Sequence, residues 1–282
     1  MVQSKKTVGE YYRSEEGGDI TVYGGRRETS VALSVVIPLY NEEKTIREVI
    51  ERIPYTHDCE IIVVDDGSTD GSVQQVIESY RRVKVLRHHE NRGYGSAILN
   101  GFQHASGDII ITLDSDGQHN PEEIPRLIAP IMAGEADVVV GSRYLGASDY
   151  KVPLHTRMGE LFIKIFMNIL YNRKIGNNQS GFRAFTREAA QAFTNMVFSE
   201  FALCTEMLLR AAYLNLRIRE VPITINKRRH GSSYVKLARI FLSISSCLLL
   251  YFLKRIRIGR LVPSFLYDRA SHTFVKYLKS FF

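Results

Sequence analysis

"LSVVIPLYNEEKTIREVIERI", residues 33–53, followed by "EIIVVDD", residues 60–66, decides the fold. The opening run, Leu33 to Tyr40, is apolar and rich in β-branched side chains, as a buried strand requires. Ile46, Val49, Ile50 and Ile53 then recur at helical spacing, and residues 60–66 return to the strand pattern. The alternation continues outward. Residues 70–82 read as helix, "VKVLRH" (83–88) as strand, 93–105 as helix and "GDIIITLD" (107–114) as strand. Helix 121–133 and strand "ADVVVGSR" (136–143) complete the series. Apolar strands alternating with amphipathic helices predict an α/β domain with a mostly parallel central sheet covered by helices on both faces. Ligands of such sheets bind beyond the carboxyl ends of the strands. The polar clusters fall at those ends: Tyr40-Asn41-Glu42, Asp65-Asp66, Asp114 with Asp116, and Ser142-Arg143.

A dinucleotide-binding domain would carry G-x-G-x-x-G after its first strand. This chain has "PLYNEE" there, and the glycines of "NRGYGSA" (91–97) follow the third strand instead. The three cysteines, Cys59, Cys204 and Cys247, have neither zinc spacing nor a disulfide framework, which fits a reducing compartment. The first 30 residues have no apolar core of a secretory signal and read as a mobile arm.

The net charge of +7 is unevenly distributed. From Lys227 to the end there are 12 Lys or Arg and one acid, Asp268, so the basic character belongs to the tail. "IFLSISSCLLLYFL" (240–253) lies among those charges and suits a lipid surface better than nucleic acid. In "RMGELFIKIFMNILYN" (157–172), Glu160, Lys164, Asn168 and Asn172 form one narrow polar stripe, and almost everything else is apolar. A helix on a water-exposed surface shows a wider polar face. Residues 235–253 behave alike, with Lys236, Arg239, Ser243 and Ser246 as the stripe. Both segments are expected to lie in the membrane interface, the alternative being two helices packed on each other in a core. The run 240–253 would make a helix about 21 Å long, short of a roughly 30 Å hydrocarbon core, so attachment rather than a crossing is expected. The resulting division is an arm over 1–30, a catalytic domain over 31–230 that includes helix 157–172, and a basic amphipathic region over 231–282.

"TLDSDGQHNP" (112–121) sets two carboxylates two residues apart just past a strand. On extended backbone, i and i+2 point the same way, so Asp114 and Asp116 present oxygens to one point. A hard divalent cation, Mg²⁺ or Mn²⁺, takes such ligands and shares its sphere with substrate phosphates, and Gln118 offers a neutral oxygen. His119 could be a ligand in principle, but a loop histidine before Asn-Pro reads as a solvated or a packing residue. Asn120 and Pro121 are explained as a helix cap and first helical residue.

That acidic turn stands in order with "PLYNE" (38–42), "VVDDGSTDGS" (63–72), "GSR" (141–143), "SGFR" (180–183), "EVPI" (220–223) and "RRHGSS" (228–233). The set resembles the family 2 glycosyltransferases of the GT-A fold. Within them it is most similar to the branch of dolichyl-phosphate mannose synthase and polyprenyl-phosphate glucosyltransferases. The resemblance covers about residues 33–235. It implies a Rossmann-like GT-A domain followed by C-terminal amphipathic interfacial helices, and transfer of a sugar from a nucleotide-sugar with inversion.

By the same resemblance, Pro38, Tyr40, Asn41 and Glu42 cradle the nucleotide, and Asp65, Asp66 and Ser68 contact base and ribose. Asp114, Asp116 and Gln118 hold the metal, with Ser115 beside the donor. Arg228, Arg229 and Ser233 meet the donor diphosphate, and Arg143 and Arg157 the phosphate of the acceptor lipid. Asp116, Arg143 and Arg157 are the implied catalytic groups. Two positions depart from the pattern: Asn177 stands where many relatives carry Asp, and Tyr234 where they often carry Lys.

The implied donor is a GDP- or UDP-hexose, mannose or glucose. The implied acceptor is a dolichyl or other polyprenyl phosphate at the cytoplasmic membrane face, reached by a peripheral protein. A phosphate monoester is largely ionised at neutral pH, its second pKa being about 6, so it needs no strong general base. A saccharide or diacylglycerol hydroxyl acceptor is the alternative, and it would require one. Oligomeric state is not legible.

Overall fold

The structure is a computed structural model that describes residues 11–16, 19–24, 33–54, 59–79, 82–148, 152–198, 202–228 and 237–255. Among the described residues nine strands form one sheet: β1 (Tyr11–Glu16), β2 (Asp19–Gly24), β3 (Leu33–Leu39), β4 (Cys59–Asp65), β5 (Val83–Arg87), β6 (Ile109–Thr112), β7 (Val138–Ser142), β8 (Arg183–Thr186) and β9 (Ile218–Pro222). Their spatial order is β1-β2-β5-β4-β3-β6-β8-β7-β9. The helices are α1 (Ile46–Glu51), α2 (Ser72–Ile77), α3 (Tyr94–His104), α4 (Ile124–Met132), α5 (Leu154–Tyr171), α6 (Arg187–Ala192), α7 (Ala202–Tyr213) and α8 (Leu237–Arg255).

The block β5-β4-β3-β6 is parallel, with Val35 opposite Ile61 and Ile111. Successive side chains of β3 point to opposite faces. Val35 and Ile37 pack with Ile46, Val49 and Ile50 of α1 and Leu127 of α4. Val36 packs on the other side with Ile98 and Phe102 of α3 and Phe185 of β8. These side chains are essentially without solvent contact, and each such burial contributes about 1.5–3 kcal/mol. Gly101 lets α3 sit directly on Val36, whose side chain a Cβ there would overlap, so Gly101→Ala would lift the helix from the sheet.

Three features differ from the sequence reading. β8 runs antiparallel between β6 and β7, a four-residue strand too short to show a period. Residues 11–16 and 19–24, read as part of a mobile arm, pair antiparallel, and β2 adds antiparallel to β5. The helix read over 70–82 is shorter, Ser72–Ile77.

The two amphipathic helices lie side by side with α7. Ile163 and Met167 of α5, Leu208 and Leu209 of α7, and Cys247, Leu248 and Tyr251 of α8 form a third core cluster. One side of α5 is therefore internal. Its opposite side carries exposed apolar side chains: Leu154, Met158, Leu161, Phe162, Ile165 and Ile169. On α8, Phe241, Leu242, Leu249 and Phe252 are likewise exposed. The polar stripe read on α5 does not face water as a whole. Glu160 is buried because Arg143 and Tyr144 meet its carboxylate. Among the described residues no helix is long and apolar enough to cross a membrane.

Candidate active site

The site is built at the carboxyl ends of β3, β4, β6 and β7. After β3, Asn41 takes a left-handed conformation, φ 54°, which an asparagine tolerates. Its N–H donates to Ser68 Oγ (3.0 Å), and its Oδ1 accepts from Thr69 N–H (2.9 Å). Glu42 N–H donates to Ser72 Oγ (2.8 Å). The loops after β3 and β4 are thereby fastened together. Pro38 is the penultimate residue of β3, paired with Val64, and Tyr40, just past the strand, is half-buried.

Asp65 and Asp66 are both buried and engaged by the protein. Asp65 Oδ1 accepts from Ser68 N–H (2.9 Å), and Arg87 Nε lies 3.0 Å from Oδ2. Asp66 accepts from the N–H groups of Arg92 (2.9 Å) and Gly93 (2.8 Å) and pairs with His88 Nδ1 (2.7 Å).

The acidic turn follows β6. Thr45 Oγ1 donates to the carbonyl of Ser115 (2.8 Å), anchoring the turn to the start of α1. Asp116 Oδ1 accepts from Gln118 N–H (3.0 Å), and its Oδ2 lies 3.9 Å from Arg228. Gln118 donates its amide N–H to the Asn226 carbonyl (3.2 Å), which leaves its amide oxygen as the atom that could meet a cation. Asp114 lies between the Tyr94 hydroxyl (3.2 Å) and His119 Nδ1 (3.4 Å). Burial raises the Asp114 pKa, His119 opposes that, and the charge of Asp116 adds to it. Glu42 is raised in the same way, by burial first, with Arg228 opposing.

A divalent ion fits this donor set. Two carboxylates and an amide oxygen are all hard donors, and the mutual repulsion of the aspartates is what a cation relieves. Among the described residues no three His, Cys, Asp or Glu side chains converge on one point, so the rest of a coordination sphere would come from substrate phosphate and water.

His119 is buried and packs on Phe182, the packing alternative of the two the sequence left open, and Asn120 caps the turn at Pro121 by accepting from Glu122 N–H (3.1 Å), as the sequence implies. Arg228 also pairs with Glu42, so it bridges the first loop and the acidic turn. Arg229 and Ser233 lie outside the described residues, as does Tyr234.

Arg143 sits just past β7, with Nη2 2.6 Å from Glu160 of α5. Arg157 is exposed on the first turn of α5, three residues before Glu160. Arg143 is thus tied to α5 through its ion pair, and Arg157 belongs to the first turn of that helix. Asn177 is buried, donates to the Gly141 carbonyl (3.1 Å), and is held from behind by Glu220, which accepts its N–H (2.8 Å).

Sequence reasoning missed several groups. Arg183 of "SGFR" is fully buried and donates to the carbonyls of Ser180, Asn178 and Cys204, each at 2.8 Å. It shapes the 178–183 loop instead of facing solvent. Gly181 lies against Asp114, where any Cβ would overlap both carboxylate oxygens. The glycine directly after the serine of that motif was the available signal.

A parallel α/β sheet with an acidic pair past its fourth parallel strand and basic groups around it defines a nucleotide-sugar transferase architecture of the GT-A type. The chain belongs to glycosyl transferase family 2, whose description it matches over residues 34–193, and it is a glycosyltransferase. It is 32% identical over 209 residues to the UDP-N-acetylglucosamine–dolichyl-phosphate N-acetylglucosaminyltransferase of Methanococcus voltae, covering 67% of this chain and 83% of that one. It is 34% identical over 219 residues to a dolichol-phosphate mannosyltransferase of Pyrococcus furiosus, covering 74% of this chain and 60% of the relative. The fold is similar to glucosyl-3-phosphoglycerate synthase of Mycobacterium tuberculosis, crystallised with Mn²⁺, UDP and phosphoglyceric acid. There the TM-score is 0.61 at 25% identity, over 80% of this chain and 79% of that one.

Proposed function

We propose that the protein transfers a hexose, mannose or glucose, from a GDP- or UDP-sugar to a polyprenyl or dolichyl phosphate, with inversion, as a peripheral enzyme on the cytoplasmic membrane face. The observation that carries the reading is the position of Arg143. It lies past β7, tied through Glu160 to α5, whose opposite side is apolar and exposed. A cation suited to a phosphate monoester therefore stands at the root of a lipid-compatible helix. The lipid-phosphate acceptors named for the archaeal relatives support the same acceptor class.

Asp114, Asp116 and Gln118 would hold Mg²⁺ or Mn²⁺, as structural neighbours were crystallised with either ion and UDP. The ion would supply charge stabilisation for the departing nucleoside diphosphate. Arg228 adds a guanidinium on the same side. Arg143 and Arg157 orient the acceptor phosphate and cover part of its charge. The acceptor arrives ionised, so the buried amide at Asn177 is compatible with turnover.

The test is transfer by purified protein with Mg²⁺ or Mn²⁺, a short polyprenyl phosphate and a panel of nucleotide-sugars, with lipid products identified by mass spectrometry. A glycosyl-phospholipid is expected with one donor, and Asp116→Ala should lower kcat by at least about 10²-fold. No product with any GDP- or UDP-sugar would sink the proposal.

A further inference from the structure

We propose that Tyr94 is a positioning residue of the divalent-ion site: its hydroxyl fixes the orientation of Asp114, and a buried relay beginning at Asp66 fixes Tyr94. The proposal rests on the reading of Asp114 and Asp116 as the ion's carboxylates.

Asp114 is confined on three sides. Tyr94 donates its hydroxyl to Oδ1 (3.2 Å), His119 Nδ1 stands 3.4 Å from Oδ2, and Gly181 closes the back without a side chain. The carboxylate remains 27% exposed on its open side. An aspartate on an unsupported loop would sample several rotamers, and an arriving cation would have to order it. Held this way, its orientation is set beforehand.

Tyr94 is the first residue of α3, and the two residues before it are pinned. Asp66 accepts from the N–H groups of Arg92 and Gly93 at 2.9 and 2.8 Å. Gly93 has φ 94° and ψ 157°, a conformation open essentially to glycine alone, and it turns the chain into α3. Behind Asp66, His88 Nδ1 lies 2.7 Å from Oδ1, and its Nε2 meets Asn100 Nδ2 at 2.9 Å. An amide NH₂ only donates, so Nε2 accepts and Nδ1–H is the donor to Asp66. Asp66, His88 and Asn100 are all buried, at 3%, 2% and 8% exposure. The relay runs from the end of β4, where the nucleotide loop begins, to the acidic turn after β6. It gives Asp66 a task inside the protein, which its filled hydrogen bonds demand.

Partners that orient a metal's ligands commonly set its affinity by about 10–100-fold. The test is Mn²⁺ binding by the purified protein, read from the electron paramagnetic resonance signal of free Mn²⁺, with neither donor nor acceptor present. Tyr94→Phe should weaken Mn²⁺ binding at least about ten-fold with its melting temperature preserved, and Tyr94→Met, lacking the same hydroxyl, should do likewise. Ile98→Val, one turn along α3 in the core, should lower stability slightly and leave Mn²⁺ affinity unchanged. Wild-type affinity in both Tyr94 variants, an equal loss in Ile98→Val, or no retention of Mn²⁺ by the wild type would overturn the proposal. Absence of sugar transfer alongside weakened Mn²⁺ binding in Tyr94→Phe would sink the functional reading and leave this one standing.

Discussion

Asn177 shows how a single departure from a family's pattern makes local sense. Its Nδ2 donates to the Gly141 carbonyl, and Glu220 lies behind it, holding the N–H groups of residues 176 and 177. A carboxylate in that place would set oxygen against oxygen with a second carboxylate nearby. Asn177→Asp is therefore expected to destabilise the protein by about 1–3 kcal/mol at neutral pH, measured as a shift in urea midpoint. An unchanged midpoint would mean the loop relaxes around the new charge. The same scale shows what motif reading captures and misses. Asp114 and Asp116 were legible because two carboxylates in i, i+2 spacing have few other uses. Tyr94, His88 and Gly181 were not, because their partners lie 20, 22 and 67 residues away along the chain.

At the scale of elements, α7 and α8 meet around a buried acid. Glu206 of α7 is 1% exposed and accepts from the N–H groups of Val197 (3.1 Å) and Phe198 (2.9 Å). Burial raises its pKa from 4.5 to about 7, with the two backbone donors opposing and Lys254 of α8 and Arg210 adding weaker opposition. A carboxyl raised above its unfolded value makes the folded state bind the proton more tightly. Its stabilisation is complete below pH 4.5 and is lost as pH rises toward about 7, at no more than about 1.4 kcal/mol per pH unit. Unfolding free energy should decline across that window, and Glu206→Gln should flatten the decline. Equal slopes in the two proteins would remove Glu206 as its source. The helix itself was not legible as a separate element. Ten of its 12 residues are buried, so it lacks the polar stripe that marks an amphipathic helix.

For the whole molecule, the exposed apolar sides of α5 and α8 and the basic tail predict attachment to an anionic bilayer surface. Phe162 is 55% exposed, so Phe162→Glu should change stability by less than about 0.5 kcal/mol. It should nonetheless cut co-sedimentation with anionic phospholipid vesicles several-fold, because a charge would enter the lipid-facing side. Raised salt should weaken the remaining binding through screening of the basic residues. Vesicle binding equal to the wild type at both salt concentrations would show that α5 does not meet lipid.

The sequence by itself determined the alternation of strands and helices, the ends of the strands at which polar residues collect, and the acidic pair after β6. These are local properties: a period of 2 or 3.6 and the spacing of charges are written in neighbouring residues. Tertiary structure alone decided the direction of β8, the pairing of residues 11–16 with 19–24, the burial of Arg183, and which side of α5 faces out. Each depends on which distant groups satisfy a buried charge or cover an apolar side. Glu160 turns inward because Arg143 and Tyr144 receive it there, and so the opposite apolar side of α5 is left outside.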